Sequence, residues 1–432
     1  MAPARDLDYL PRLDAASKDR TFRRNLIVYT VASGMGSLVH LAHLLWTHLL
    51  DQADYGRFAI LEGVVFGFAA STVTLAPQQY ILVHVHKKPQ SELGQELGGL
   101  LMLALLVGAS TALAVWVAPD SMSVFRSEGL PRWSIAGVIV AASLATGRMM
   151  AQSLNETLSR PARAAMWSDF VDGTRPFIAL TLFFVLGWTW EARWGGLVVA
   201  QGGAGLAAIW MLSRQGWLRR PPSWSTLEEP LRFSLPMIFA MLAYVGYQSA
   251  DRLYVALWKG IEAAGRYEAA YRVALIVNTV NLVTLKSFTP LFYSAFGAGD
   301  RDGALALLRK TSLRVGLLVA ALVVLLPGLV FYTPILEESY RSSREVLWSI
   351  PILSMGLGFL GISFLWQTPL LARGKARTVS VIAVGAALTN LAADALLVPS
   401  MGELGAAWGT FIAFAVMLAA TFVATKRSIE LG

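Results

Sequence analysis

The chain has 432 residues, 55% of them hydrophobic and only 15% charged, with 36 Lys and Arg against 28 Asp and Glu. Soluble domains carry roughly 25% charged residues, whereas twelve membrane spans of about 20 residues would use about 240 apolar ones, close to what this composition supplies; the mean hydropathy of +0.54 agrees. The apolar runs are long and continuous, which excludes an outer-membrane barrel, and the absence of cysteine excludes disulfides, thiolate chemistry and Cys-ligated metals.

The expected fold is an all-α polytopic membrane protein. Residues 1–24 are polar and basic and form an N-terminal cytoplasmic segment. Twelve apolar segments follow, at about 25–50, 58–81, 97–118, 133–154, 168–189, 195–213, 233–257, 267–295, 313–335, 346–371, 378–398 and 404–425. The first is too long for a signal-peptide core and is read as a retained span. Six spans form an N-terminal bundle (25–213), a basic, proline-containing stretch (214–232) is a cytoplasmic linker, and six more form a C-terminal bundle (233–425) before a short cytoplasmic tail (426–432).

With the N-terminus cytoplasmic, the inside segments hold 23 basic residues and the outside loops 8. That is the positive-inside pattern. It accounts for the net charge of +8 without an anionic partner such as nucleic acid. The chain also looks duplicated. Tyr55-Gly56-Arg57-Phe58 follows the first span and Gly265-Arg266-Tyr267 follows the seventh, an offset of about 209 residues. Six spans return the chain to its starting side, so the halves are expected to be parallel repeats related by a pseudo-two-fold axis, with a site between them.

Motifs for chemistry are mostly missing. Gly356-x-Gly358-x-x-Gly361 spells a dinucleotide fingerprint but lies within an apolar span, with no strand before it, and reads as close helix packing. There is no P-loop, HExxH or GxSxG, so neither nucleotide use, nor a cofactor, nor enzymatic activity is expected. His40, His43 and His48 share the first span; a metal pair or proton relay is one reading, and hydrogen bonds to neighbouring spans are the other.

Five basic residues fall inside spans, where each costs on the order of 3 kcal/mol at mid-bilayer. In the eighth span Arg272, Thr279, Lys286 and Tyr293 recur every seven residues and share a face, widened by Asn278 and Asn281. Gln248, Asp251 and Arg252 cluster with Tyr244 in the seventh. Arg148 is followed by Gln152 and Asn155 in the fourth, and Asp172 and Arg175 lie three apart in the fifth. Glu62 stands in the second span, and Asn390 with Asp394 in the eleventh. One reading is a water-filled cavity with cationic walls that holds an anionic group. The other is internal pairing, as between Asp251 and Arg252 or Asp172 and Arg175, together with snorkelling at span ends.

Several stretches carry a resemblance: Asp54-Tyr55-Gly56-Arg57-Phe58; residues 249–272 (SADRLYVALWKGIEAAGRYEAAYR); residues 285–296 (LKSFTPLFYSAF); residues 368–375 (TPLLARGK); and the later span with Asn390, ending near Pro399 and Gly402. In that order along twelve spans, the chain resembles the polysaccharide (O-antigen type) lipid-linked oligosaccharide flippases of the multidrug/oligosaccharidyl-lipid/polysaccharide exporter superfamily. The resemblance implies two bundles that alternate access to a cationic cavity in a bacterial inner membrane. It implies an undecaprenyl-pyrophosphate-linked oligosaccharide as substrate, the bilayer and the glycan polymerase and chain-length machinery as partners, and coupling to a proton or sodium gradient. On this expectation Lys286, Arg148, Arg272, Arg252 and Arg175 meet the substrate. Asp251, Asp394, Glu62 and Asp172 gate or couple, and Asn278, Asn281, Gln248 and Asn390 support them. The competing expectations are a multidrug/cation antiporter of the same superfamily, whose site should be lined with carboxylates, and a membrane glycan polymerase or transferase, which needs a larger extramembrane loop than the roughly 20 residues available.

Overall fold

A chain in hydrocarbon must satisfy its backbone polar groups internally, and long apolar runs do so as helices. The computed structural model describes residues 42–85, 87–118, 129–158, 160–219, 224–297 and 299–430, and these are helical almost throughout. Most of the first span, including His40, lies outside the described residues. Its end is a 3₁₀ turn at Leu45–His48. The helices that follow are α1 (Gln52–Ala59), α2 (Gly67–Thr72), α3 (Pro77–His84), α4 (Gln90–Val117), α5 (Arg132–Thr157), α6 (Pro161–Ala165), α7 (Val171–Leu186) and α8 (Trp190–Arg214). The second half holds α9 (Glu228–Lys259), α10 (Ile261–Gly297), α11 (Arg301–Tyr332), the short α12 (Glu338–Arg341), α13 (Arg344–Ala372), α14 (Ala376–Met401) and α15 (Glu403–Glu430).

Eight of the described helices are long and apolar enough to cross a membrane, nine if the bent pair from Gln52 to His84 is one span. With α7, α9 and the first segment they make the twelve-span, two-bundle architecture. Neighbour pairs recur in the two halves. Span four packs on span six (α5 on α8) as span ten packs on span twelve (α13 on α15), and α4 on α5 as α11 on α13. Burial follows the same repeat. The third span of each half, α4 or α11, is mostly exposed to what must be lipid, whereas the fourth, α5 or α13, is mostly buried.

The halves cross where the repeated motif lies. A Cβ on Gly56 would stand 2.1 Å from the Ile261 carbonyl oxygen, and one on Gly265 would stand 2.0 Å from that of Gln52. Gln52 and Gly56 plus 209 are 261 and 265, so the contact is reciprocal about a pseudo-two-fold axis. The glycines of Gly356-x-Gly358-x-x-Gly361 act as packing surfaces in the same way. Cβ atoms there would meet Phe411 at 3.2 Å, Val319 at 2.4 Å and Asn281 at 2.1 Å, each on a different helix.

Two spans read as continuous are interrupted. The second bends by 49° between Thr72 and Pro77, because Pro77 lacks an N–H and disfavours helix at the residue before it; Leu75 and Ala76 take φ of 58° and 48°. Residues Ile60–Phe66 and Met166–Phe170 are π-helical. Such turns loosen the backbone ladder and expose carbonyls to other donors.

Candidate functional site

The π turn at Ile60–Phe66 presents Glu62 toward the second half. Its carboxylate accepts from Arg175 on one oxygen and from Arg272 Nη2 (2.7 Å) on the other, with Arg193 Nη2 at 3.9 Å. Arg272 also donates through Nε to Glu268 (2.5 Å), one helical turn earlier on α10. The second oxygen of Glu268 accepts from Arg252 Nε (2.5 Å). Arg252 in turn pairs with Asp251 (3.2 Å), which also accepts from the Tyr267 hydroxyl. Arg252 lies against Gly63, where a Cβ would be 3.1 Å from its Cδ, and its guanidinium sits 4.3 Å from the Tyr271 ring centroid. The result is a buried alternation of charge: Arg175, Glu62, Arg272, Glu268, Arg252, Asp251. Glu62 to Arg272 is its link between the halves.

Arg193 closes the first-half side. It donates to Nδ1 of His43 (2.8 Å), so that nitrogen carries no proton, and its guanidinium is 3.9 Å from the Phe58 ring centroid and 4.9 Å from that of Tyr55. A desolvated cation over an aromatic face gains about 2 kcal/mol. Read from sequence as a loop residue, Arg193 is 2% exposed. Asp172 contacts Arg175 at 3.7 Å and accepts from Gln201 (2.9 Å).

Other residues singled out from sequence lie apart from this chain of charges. Arg148 is buried between α5 and the second π turn, donating to the Trp167 carbonyl (2.8 Å) and to Gln152 (3.4 Å). Its Nε has no partner, and no carboxylate lies within ion-pair distance among the described residues. Asn281 donates to the Leu357 carbonyl (2.8 Å), and the Gln248 carbonyl accepts from Arg252 (2.6 Å). Asn278 is half-buried. The Lys286 side chain and that of Tyr244 lie outside the described residues, although both positions are helical. His48 bonds the Pro334 carbonyl (3.1 Å).

Asp394 is fully buried on α14, and among the described residues neither carboxylate oxygen has a hydrogen-bond partner; the side-chain amide of Asn390, one turn earlier, has none among them either. The absence of a Cβ at Gly409 makes room for it, since one there would be 2.1 Å from Oδ1. The next residue, Thr410, reaches the Tyr267 hydroxyl (3.5 Å), which leads to Asp251.

The opposite membrane end carries a second inter-half contact. Lys88 donates to Glu96 (2.6 Å), to Glu229 at the start of α9 (2.7 Å) and to Tyr80 (3.1 Å). Burial pulls the Lys88 ammonium down, but hydrogen bonds to Glu229, Glu96 and Tyr80 outweigh it and hold it above the usual lysine range. The Lys88 hydrogen bond holds Glu229 below the usual carboxylate value. A lowered folded-state value means this contact contributes above the ordinary carboxylate range, about pH 4, and is lost as pH falls through the lowered value.

No family model matches the chain, and no curated protein matches it in sequence. Solved structures do match in fold. An inward-facing multidrug resistance MATE family transporter of the MOP superfamily superposes with a TM-score of 0.73 at 15% identity, over 94% of this chain and 98% of that one. The lipid II flippase MurJ, in an inward closed conformation, gives 0.75 at 13% identity over 93% of this chain and 87% of that one. The fold is that of the MOP-superfamily transporters. An outward-facing MATE transporter scores 0.63 at 14% identity over 95% and 96%.

Proposed function

We propose that the chain is a flippase that moves an undecaprenyl-pyrophosphate-linked oligosaccharide from the cytoplasmic to the periplasmic leaflet of a bacterial inner membrane by alternating access. The two bundles, 25–213 and 233–425, rock against each other so that the Gly56–Gly265 end and the opposite end part in turn, with 214–232 as the cytoplasmic linker. The observation that carries an anionic substrate is Arg148. It is a buried cation with no carboxylate within ion-pair distance among the described residues, held by the Trp167 carbonyl and Gln152 alone, and a buried charge is costly unless something pairs with it. Arg252, Arg272 and Arg175 are neutralised by Glu268, Glu62 and Asp251 in this state. They become substrate groups only when the chain of pairs opens, and Glu62 and Asp251 are then its gate. Lys286, on the Arg272 face of α10, continues the path.

The test uses the source bacterium with this gene deleted and complemented. Arg148→Gln and Lys286→Ala should each lose surface glycan and accumulate the lipid-linked intermediate, while the amount of protein in the membrane stays normal. Normal surface glycan in both variants would sink the substrate assignment.

A second reading, proton- or sodium-coupled export of a cationic compound, is favoured by Asp394. A buried carboxylate with two unpartnered oxygens is stable only with a proton or cation on it. In the flippase reading the same group is the coupling site. Asp394→Asn should remove the ion-gradient dependence of transport in either case. The substrate arms then decide: dye extrusion by cells expressing the chain supports the exporter, and restored glycan supports the flippase.

A further inference from the structure

The outer surface of the second half holds a groove that the transport route does not use. It lies between α14 and α15, has a volume of about 700 Å³, and is almost entirely apolar except at one end. On α15 it is lined by Val416, Ala420, Val423 and Arg427, at i, i+4, i+7 and i+11, one face of a helix; on α14 Arg377 and Val381 face them. The alanine keeps this face low, while Val381, Val416 and Val423 stay exposed at its walls. The helices are antiparallel neighbours, which brings the start of α14 and the end of α15, and so both arginines, to one membrane end. The charge bias places that end in the cytoplasmic leaflet.

Two features identify the occupant. From Arg427 to Val416 the face runs eleven residues, about 16 Å of helix. That is the depth of one leaflet of a hydrocarbon core about 30 Å thick, so the groove takes an acyl chain and stops near mid-bilayer. At its mouth neither Arg377 nor Arg427 has a carboxylate partner among the described residues, and Arg373, Lys375 and Lys426 add positive charge in the same segments, against Glu430 alone. We propose that this groove is a binding site for an anionic glycerophospholipid of the cytoplasmic leaflet, with its phosphate on Arg377 and Arg427 and one acyl chain along α15. The site is separate from the inter-half charges and does not depend on which substrate is transported.

Native mass spectrometry of the full chain in detergent tests it, with phosphatidylglycerol and phosphatidylcholine of identical acyl chains offered at equal concentration. An arginine near an anionic headgroup favours binding by about fivefold, so two should give a preference for phosphatidylglycerol of about 25-fold. Arg377→Gln with Arg427→Gln should bring the two lipids to near parity. Ala420→Phe fills the groove with the charges intact and should reduce retention of both; if that variant does not fold, the arginine pair decides alone. Substituting Arg309 and Lys310, a basic pair on α11 away from the groove, should leave the preference unchanged. Equal retention of the two lipids by the wild type overturns the proposal. So does an equal loss of preference in the Arg309 and Lys310 variant, which would mean general surface charge. Displacement by glycerol phosphate alone would mean an anion site without a lipid. A dimer that Ala420→Phe abolishes would mean the groove holds a second copy.

Discussion

At the scale of single residues, Glu62 has the largest consequences. It is 11% exposed and serves two arginines directly, one from each half. Removing one member of a buried ion pair typically costs about 3–5 kcal/mol, because the remaining charge is left without a partner. Glu62→Gln should therefore lower the thermal midpoint of the protein in detergent markedly, although the side chain keeps its shape. Adding Arg272→Met to that variant removes one of the stranded cations, so the double variant should be more stable than the sum of the two losses. Additive losses would mean that the 2.7 Å contact carries no coupling. Glu62, Asp251, Arg252 and Arg272 are legible in the sequence as charges inside apolar runs. The pairing of neighbours in sequence, Asp251 with Arg252, is legible too, but that of Glu62 with Arg272 is not, since they are 210 residues apart and helical periodicity says which residues share a face but not which helix that face meets. Glu268 and Arg193 escaped notice for a related reason. Both lie near predicted span ends, where a charge needs no special account.

At the scale of elements, hydropathy specified the helices because the bilayer leaves the backbone no other solution. The interruptions were less visible. Pro77 could have marked the bend before α3, but the π turns at Ile60–Phe66 and Met166–Phe170 have no sequence signature. Both occur where an arginine from another helix reaches in, Arg252 beside Gly63 and Arg148 at the Trp167 carbonyl. The duplicated Gly-Arg motif was legible, and its physical reason is the crossing of α1 and α10. Gly265 has no room for a methyl group, because the nearest atom to its missing Cβ is the backbone carbonyl of Gln52 at 2.0 Å, which no side-chain movement can relieve. Gly265→Ala should force the helices apart at that end. Spin labels on α1 and α10 should report a longer distance than in the parent, and transport should fall. An unchanged distance would show that this end adjusts without the close contact.

At the scale of the molecule, two inter-half contacts stand at opposite membrane ends: Glu62 with Arg272 beside the Gly56–Gly265 crossing, and Lys88 with Glu229. If the bundles rock as rigid bodies, these contacts must break in turn during a cycle, and the Gly56–Gly265 end must open for release. That requirement can be tested directly, because the chain has no cysteine to give background reaction. The side chains of Gln52 and Arg266 meet across the halves at 3.1 Å, on the rim of the crossing. In Q52C/R266C, a short bismaleimide with a cleavable disulfide in its spacer should bridge the two thiols and hold that end shut. Transport should stop when the bridge forms and return when a reductant cleaves it, and neither single cysteine variant should respond. The reversal separates a locked gate from simple damage, since damage would not be undone by cleavage. Full transport by the bridged protein would mean that substrate leaves without the halves parting at Gly56 and Gly265. The pseudo-two-fold crossing would then be a fixed hinge, and the exit route would have to lie along another pair of helices.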